Sequence, residues 1–220
     1  MPLPDIRPLR QRDIVRFELT GALPGALPLL RRYLSPGAGL RFVVHLLRAG
    51  SRDPLVGIPP LHPDRQRERL ARRQFRGLLL LEDGLIAAGL PTPERLQLLR
   101  ELMATAGASF IARNLPLPTR ANWQAADEGE RRRFLTRLTR RFINADIDAI
   151  QTSKSGLGFD VTRCLFAELA HAVGRPHLAP LFCLADEVYF NRPGSLVQLS
   201  RTQTLAEGHE RCDFRFHHRQ

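Results

Sequence analysis

Apolar residues recur along this chain with two different periods, and the change from one to the other divides it. From Pro28 to Leu47 they fall at helical spacing (Leu29, Leu30, Tyr33, then Leu40, Val43, Val44 and Leu47) around an SPGAG interruption, which predicts two short helices. SRDPLVGIPPLHP reads as a loop. The segment after it, DRQRERLARRQFRGLLLLEDGLIAAGL, predicts a helix capped by Asp64 that turns Leu70, Phe75 and Leu78 to Leu81 inward. Thr92-Pro93-Glu94 predicts the next helix start, with Thr92 as N-cap and Pro93 at the first helical position, running to about Ala112 before NLPLPT ends it. Asp127 with Glu130 gives a capping-box signature for a third long helix, whose apolar stripe is Phe134, Leu138, Phe142, Ile147 and Ile150. Residues 1–26, rich in proline and glycine, predict an arm draped over the body with one short strand at residues 14–19.

Beyond residue 150 the period shortens and charges thin out. FDVTRC alternates as a strand does, LFAELAHAVG reads as a helix closed by Gly174, and HLAPLFCLADEVYF as a further helix. SLVQLSRTQTL and ERCDFRFHH predict two strands joined by AEGHE, where Gly208 suits a hairpin or a bulge. The order strand, helix, helix, strand, strand predicts an α+β fold: an antiparallel sheet with helices packed on one face, preceded by a helical N-terminal part. The expected division is a helical part with its Pro/Gly-rich arm over residues 1–125 and an α+β core over residues 126–220, folded as one compact unit. A chain of 220 residues with 43% hydrophobic and 25% charged residues has the length and composition to bury such a core.

The formal charge of +11 raises the question of nucleic acid. Its distribution argues otherwise. Residues 1–150 hold 25 Lys+Arg against 15 Asp+Glu, residues 151–220 hold 8 against 7, and the basic residues lie on amphipathic segments without interleaved aromatics. Arg131, Arg132, Arg133, Arg137, Arg140 and Arg141 are expected to form a solvated helix face. No apolar run approaches the ~18 residues of a membrane span and the N-terminus lacks the apolar stretch of a secretory signal, so a cytoplasmic protein with no membrane partner is expected. Three cysteines, an odd number without paired spacing, are expected as free thiols.

Most catalytic templates are absent: no G-x-S-x-G, no phosphate-binding glycine loop, no C-x-x-C and no H-E-x-x-H. Polar chemistry gathers instead in the last third, in Cys164, His171, His177, Cys183, Asp186, Glu187, His209, Cys212, Asp213 and Arg215. Cys164 stands where a strand passes into a helix, a position that favours a thiolate. Cys183 and Asp186, three apart, share a helix face. In CDFRF, Cys212, Phe214 and Phe216 share one strand face while Asp213 and Arg215 share the other, either as an ion pair or as a guanidinium fork for a substrate carboxylate that Asp213 holds in place. The spacing lacks tight metal-ligand pairs, so neither metal nor cofactor is expected.

Taken together, FDVTRCLFAELAHAVGRPHLAPLFCLADEVYF and SRTQTLAEGHERCDFRF resemble the L-2-amino-thiazoline-4-carboxylic acid hydrolase family over about residues 130–220. The resemblance rests on Cys164, on Cys183 with Asp186, and on Arg201, Thr202, Thr204, Gly208, Cys212, Asp213, Phe214, Arg215 and Phe216 in the closing motif. It implies hydrolytic opening of a cyclic amidine-like ring to N-carbamoyl-cysteine, taken as cleavage of a C–N bond. The implied catalytic set is Cys164, Cys183, Asp186 and Cys212, with Cys164 or Cys183 as nucleophile and Asp186 as acid/base. Asp213, Arg215, Arg201 and Thr204 are the implied substrate-binding set. A small molecule is the expected partner, and a homo-oligomer is open. Two other readings remain: a tailoring enzyme of specialised metabolism whose basic N-terminal part meets an acidic carrier protein, and a non-catalytic small-molecule-binding module.

Overall fold

Helix begins earlier in the chain than its prolines suggest. The computed structural model describes residues 3–50 and 52–219; Met1 and Pro2 of the expected arm, Ser51 of the expected loop and Gln220 lie outside the described residues. Helix α1 (Gln11–Phe17), a π turn (Glu18–Ala22) and α2 (Leu23–Tyr33) follow one another without a break. The strand expected at residues 14–19 is therefore helical. Ile14 and Phe17, three apart, both turn inward, and the Asp13 carboxylate accepts from Arg10 N at 2.9 Å to close the first turn. The expected break at SPGAG separates α2 from α3 (Pro36–Ala49), and all of it but Ser35 already belongs to α3: Ser35 Oγ accepts from Ala38 N at 3.4 Å and Pro36 takes the first helical position.

Helix α4 (Arg65–Ala87) starts where the sequence places it, with Asp64 Oδ1 accepting from Gln66 N at 2.9 Å and Arg67 N at 3.0 Å. Helix α5 (Thr92–Leu102), a second π turn (Met103–Gly107) and α6 (Ala108–Asn114) follow; the N-cap is Pro91, one residue before the expected Thr92. Gly107 matters to what comes later, because a Cβ there would stand 2.4 Å from the Ala185 side chain. Its absence lets the helix bearing Ala185 lie directly against this turn.

After α7 (Arg120–Ala125), α8 (Glu128–Thr139) opens with the expected capping box, Asp127 and Glu130 each bonding the other's backbone amide. It ends well before Ile150. Ile147 and Ile150 belong to a strand that the sequence reading missed, β1 (Ala145–Thr152). Their spacing fits a helix, but β-branched side chains also fit a pleated surface, and pairing with the next strand decides the outcome. The pairing is irregular, with register shifts after Asp146 and Asp148 and Ala149 at φ 50°. Those irregularities break the period-two pattern that would have announced a strand.

The remaining elements are β2 (Gly156–Cys164), α9 (Leu165–Ala172), α10 (Ala179–Asn191), β3 (Val197–Ser200) and β4 (Cys212–His218). They complete an α+β fold whose antiparallel sheet has the order β1-β2-β4-β3. Strand β3 ends at Ser200, so RTQT is loop and not strand. Gly208 is left-handed at φ 88°, after a 3-10 turn (Leu205–Glu207). Gly156 has no alternative, since a Cβ would lie 2.2 Å from Phe216 O across the β2–β4 pair.

Two large apolar cores result, beside a small cluster of Leu9, Ile14, Leu70 and Ile143. One holds Phe75, Leu98 and Leu99 of the helical part with Leu165 and Leu169 of α9. The other packs Phe159, Phe214 and Phe216 of the sheet against Trp123, Phe134 and Phe190, with Phe159 and Phe214 stacked at 5.1 Å. Cys164 borders both. Arg132, Arg133, Arg137 and Arg140 are exposed or partly so as expected, whereas Arg131 is buried and donates to Ala126 O at 2.6 Å. The helical part is tied to the sheet by Asp146, whose Oδ1 meets His62 Nε2 at 3.2 Å and Arg67 Nη1 at 2.9 Å. Because His62 Nδ1 accepts from Asp64 N at 3.0 Å, the ring proton sits on Nε2.

Candidate functional site

Three elements converge where the two cores meet. Cys164 ends β2 and precedes α9; Cys183 and Asp186 lie on α10; Cys212 begins β4. Arg201 follows β3, and its guanidinium reaches back over the Phe214 ring at 5.0 Å from the centroid. From there it donates to Cys183 O at 3.2 Å and Glu187 Oε1 at 2.8 Å, and Nη1 lies 3.5 Å from Asp186 Oδ2. The Arg201 side chain is only 2% exposed, and its Nη1 has no hydrogen-bond acceptor. A buried guanidinium with a spare donor is costly unless something accepts from it.

The carboxyl of Asp186 answers to this setting. Burial pushes its pKa up and the neighbouring Glu187 adds to the rise, while Arg201 opposes both, leaving it at about 7. About a fifth of the side chain remains exposed, so solvent can still exchange protons with it. The thiols behave differently from the expectation of an activated cysteine. Burial pushes Cys164 up despite its place before α9 and despite Asn144 Nδ2 approaching its sulfur at 3.7 Å. Burial likewise raises Cys183, with Arg201 opposing, and raises Cys212 to about 11, with Leu205 N donating to its sulfur at 3.2 Å. All three are protonated thiols near neutral pH. They are free, they sense one another's charge, and among the described residues no hydrogen bond joins any of them to Asp186.

The expected pair Asp213 and Arg215 does not form. Asp213 Oδ1 accepts from Thr202 N and Gln203 N, each at 2.9 Å, and Oδ2 accepts from Thr202 Oγ1 at 2.7 Å. Burial alone would raise this carboxyl; those three donors outweigh it and hold it below its usual range. Asp213 thus clamps the loop that carries Arg201. Arg215 turns to Asp160 instead, at 2.7 Å, and donates to Phe159 O and Phe214 O at 2.9 Å each. Register explains the exchange, since Asp160 stands directly opposite Asp213 on the polar face of the sheet and Arg211, at 3.5 Å, shares it with Arg215. Thr204 shapes the turn, accepting from Glu207 N at 3.2 Å and donating to Glu207 Oε2 at 2.8 Å.

The structure therefore gathers Cys164, Cys183, Cys212, Asp186, Glu187 and Arg201 at one place, with Asp213 behind them. Arg215 and Thr204 serve the sheet and the turn. His171 and His209 are exposed, and His177 pairs with Glu82 of α4 at 2.7 Å, outside the cluster. Asn144 and Asp160 escaped the sequence reading, because an asparagine before an unrecognised strand and an aspartate inside FDVTRC carry no pattern of their own. Among the described residues no three His, Cys, Asp or Glu side chains are arranged to hold a metal ion. Beside Arg201, an open groove of about 510 Å³ runs along α10 and β3, walled by Leu184, Val188 and Leu199 with Glu187, Arg192 and Arg201.

The comparisons with known proteins come from one direction only. A family model described as L-2-amino-thiazoline-4-carboxylic acid hydrolase matches residues 96–216, from α5 to β4. No curated protein and no solved structure matches the chain. Among the described residues, no helix is long and apolar enough to cross a membrane.

Proposed function

Because the chain belongs to the L-2-amino-thiazoline-4-carboxylic acid hydrolase family, we propose that it opens a cyclic amidine-like ring of a small heterocyclic amino-acid-type substrate, with Asp186 as the proton-transfer group. The family name implies hydrolase activity. The observation that carries the role of Asp186 is its carboxyl, buried beside Arg201 and poised at about 7. A group half ionised near neutral pH is the most effective proton shuttle there.

The chemistry follows from the atoms. In a 2-aminothiazoline the amidine carbon bears two nitrogens and the ring sulfur. Water adds its oxygen to that carbon, Asp186 takes a proton from the water as it attacks, and the tetrahedral adduct collapses to a carbonyl. Of the two water protons one ends on the ring nitrogen and the other, returned by Asp186, on the sulfur. Opening to N-carbamoyl-cysteine leaves both nitrogens on the carbon and frees the thiol. The bond broken is therefore C–S, in place of the C–N cleavage expected from the sequence. Arg201, with its spare Nη1, offers the substrate carboxylate a buried cationic partner, and Asp213 positions Arg201 through the loop.

A second reading keeps Cys183 as nucleophile. It is favoured by the i, i+3 placement of Cys183 and Asp186 on α10 and by the partial exposure of Cys183. Its thiol, raised by burial, is protonated near neutral pH, and among the described residues no hydrogen bond joins it to Asp186 to take that proton, so water is preferred. Incubation with L-2-amino-thiazoline-4-carboxylate, following thiol release, separates the readings. Asp186→Asn should lose on the order of 100-fold or more in kcat, while Cys183→Ser should stay within a few-fold of the wild type. The opposite pattern would move the reaction to the cysteine, and absence of turnover in the wild type would remove this substrate.

A further inference from the structure

The groove beside Arg201 is larger than a single thiazoline ring needs. Its volume of about 510 Å³ falls in the ~300–1,000 Å³ range of sites for drug-sized ligands, and a five-membered ring with one carboxylate fills only part of that. Its lining is ordered along α10. Leu184, Val188 and Arg192 follow one another at i, i+4 and i+8 on the helix and its C-cap, with Leu199 of β3 completing the apolar wall. Arg201 marks the inner end, held to Cys183 O and Glu187, and from Glu187 to Arg192 the helix rises about 8 Å.

Charge separates the two ends. Glu187 lies 2.8 Å from Arg201, so those two offset each other. Arg192 is exposed and makes no ion pair among the described residues; its guanidinium rests over the Tyr189 ring at 4.2 Å from the centroid. Arg219 donates to Asn191 O at 3.0 Å and adds positive charge at the same end. An occupant matching this lining is aliphatic in the middle and anionic at the far end. A peptide added to the sheet is not that occupant. On the edge strand β3, Leu199 N already donates to Asn191 Oδ1 at 3.0 Å and Val197 O already accepts from Ser195 Oγ at 2.7 Å, so the backbone groups such a peptide would pair with are taken.

We propose that the groove holds an aliphatic arm of the substrate that ends in a second carboxylate. The ring and its own carboxylate stay at Asp186 and Arg201, and the arm, an acyl chain on the exocyclic nitrogen, lies along Leu184, Val188 and Leu199 until its terminal carboxylate meets Arg192. This rests on the ring-opening reading and narrows its substrate class.

Three compounds test it by titration calorimetry and by turnover: L-2-amino-thiazoline-4-carboxylate, and the same molecule acylated on its exocyclic nitrogen with hexanoic or adipic acid. The hexanoyl compound should bind about tenfold tighter than the bare ring through apolar contact, and the adipoyl compound about threefold tighter again at low salt. Val188→Asp should erase the first gain and Arg192→Glu the second, each leaving turnover of the bare ring within a few-fold of the wild type. Both side chains are exposed, so neither change reaches the core. Equal binding of the three compounds overturns the proposal even if the bare ring is turned over, and so does an adipoyl gain that survives Arg192→Glu. If the binding order holds while no compound is turned over, the ring-opening reading falls and the groove keeps its ligand.

Discussion

Replacing Asp186 by asparagine should make the protein more stable as it makes it inactive. The reasoning starts from the carboxyl, which ionises at an ordinary 3.8 when exposed and at about 7 in the fold, chiefly because burial disfavours its charge. Between those values the folded state holds a proton that the unfolded state has released. Stability therefore falls as pH rises through this window and levels off above about 7. The difference of about three pH units corresponds, at about 1.4 kcal/mol per unit, to about 4 kcal/mol. That is an upper bound, because 22% of the side chain remains exposed and Arg201 shares part of the charge. Asparagine keeps the shape and never ionises. Arg201 is not orphaned by the change, as Glu187 and Cys183 O still accept from it. Denaturant melts of wild type and Asp186→Asn from about pH 3 to about pH 8.5 measure the effect, the end points being set to bracket the two ionisations at 3.8 and about 7. The two should agree at the acid end and diverge toward the alkaline end, where the variant is more stable by about 2–4 kcal/mol. Parallel pH profiles, or a variant less stable at the alkaline end, would mean that Asp186 is an ordinary ionised partner of Arg201. The acid/base proposal would then lose its foundation.

The thiols give an independent check: with burial raising Cys164, Cys183 and Cys212, alkylation by iodoacetamide at neutral pH should be far slower than for a free cysteine. Fast labelling of one cysteine in the folded protein would identify a thiolate and restore covalent catalysis. Asp213→Ala removes the acceptor of three hydrogen bonds and should cost about 2–4 kcal/mol in denaturant melts; it should raise KM more than it lowers kcat, because it loosens the loop holding Arg201 and leaves Asp186 in place. Equal loss in kcat would place Asp213 in the chemistry. Gly156→Ala forces a methyl to within 2.2 Å of Phe216 O and should destabilise by about 3 kcal/mol or more, read as lost soluble yield or a lower melting temperature. A variant with wild-type melting would show that the β2–β4 pairing yields there.

What could be read from the sequence was whatever short-range physics controls. Asp64 and the Asp127–Glu130 pair cap helices because a side-chain oxygen finds amides two or three residues away, and no distant contact competes for them. Gly208 turns left-handed because only a residue without Cβ does so freely. The alternation in FDVTRC and CDFRF places Phe159, Phe214 and Phe216 on one core-facing side, and the structure agrees. Those same motifs carried the family resemblance.

The errors share one cause. Ile147 and Ile150 suit a helix and a strand equally, and only the pairing of β1 with β2 across an irregular register resolves the tie. Ile14 and Phe17 were given to a strand because prolines nearby hid a helical pair. The ion pairs moved for the same reason: Asp213 faces Asp160 across β4 and β2, so Arg215 goes to Asp160 and Asp213 is left free to clamp the loop at Thr202. Register is a relation between two segments, and one segment cannot state it. Burial is a relation of the same kind. The sequence put Cys183 and Asp186 on one helix face, but whether each carries its proton at neutral pH depends on what closes over them. Here it is Arg201, from beyond β3, and the meeting of two cores that raise the thiols and poise the carboxyl. The chain by itself determined which residues gather in its last third, and tertiary packing decided which of them can exchange a proton, because desolvation exists only once the parts have come together.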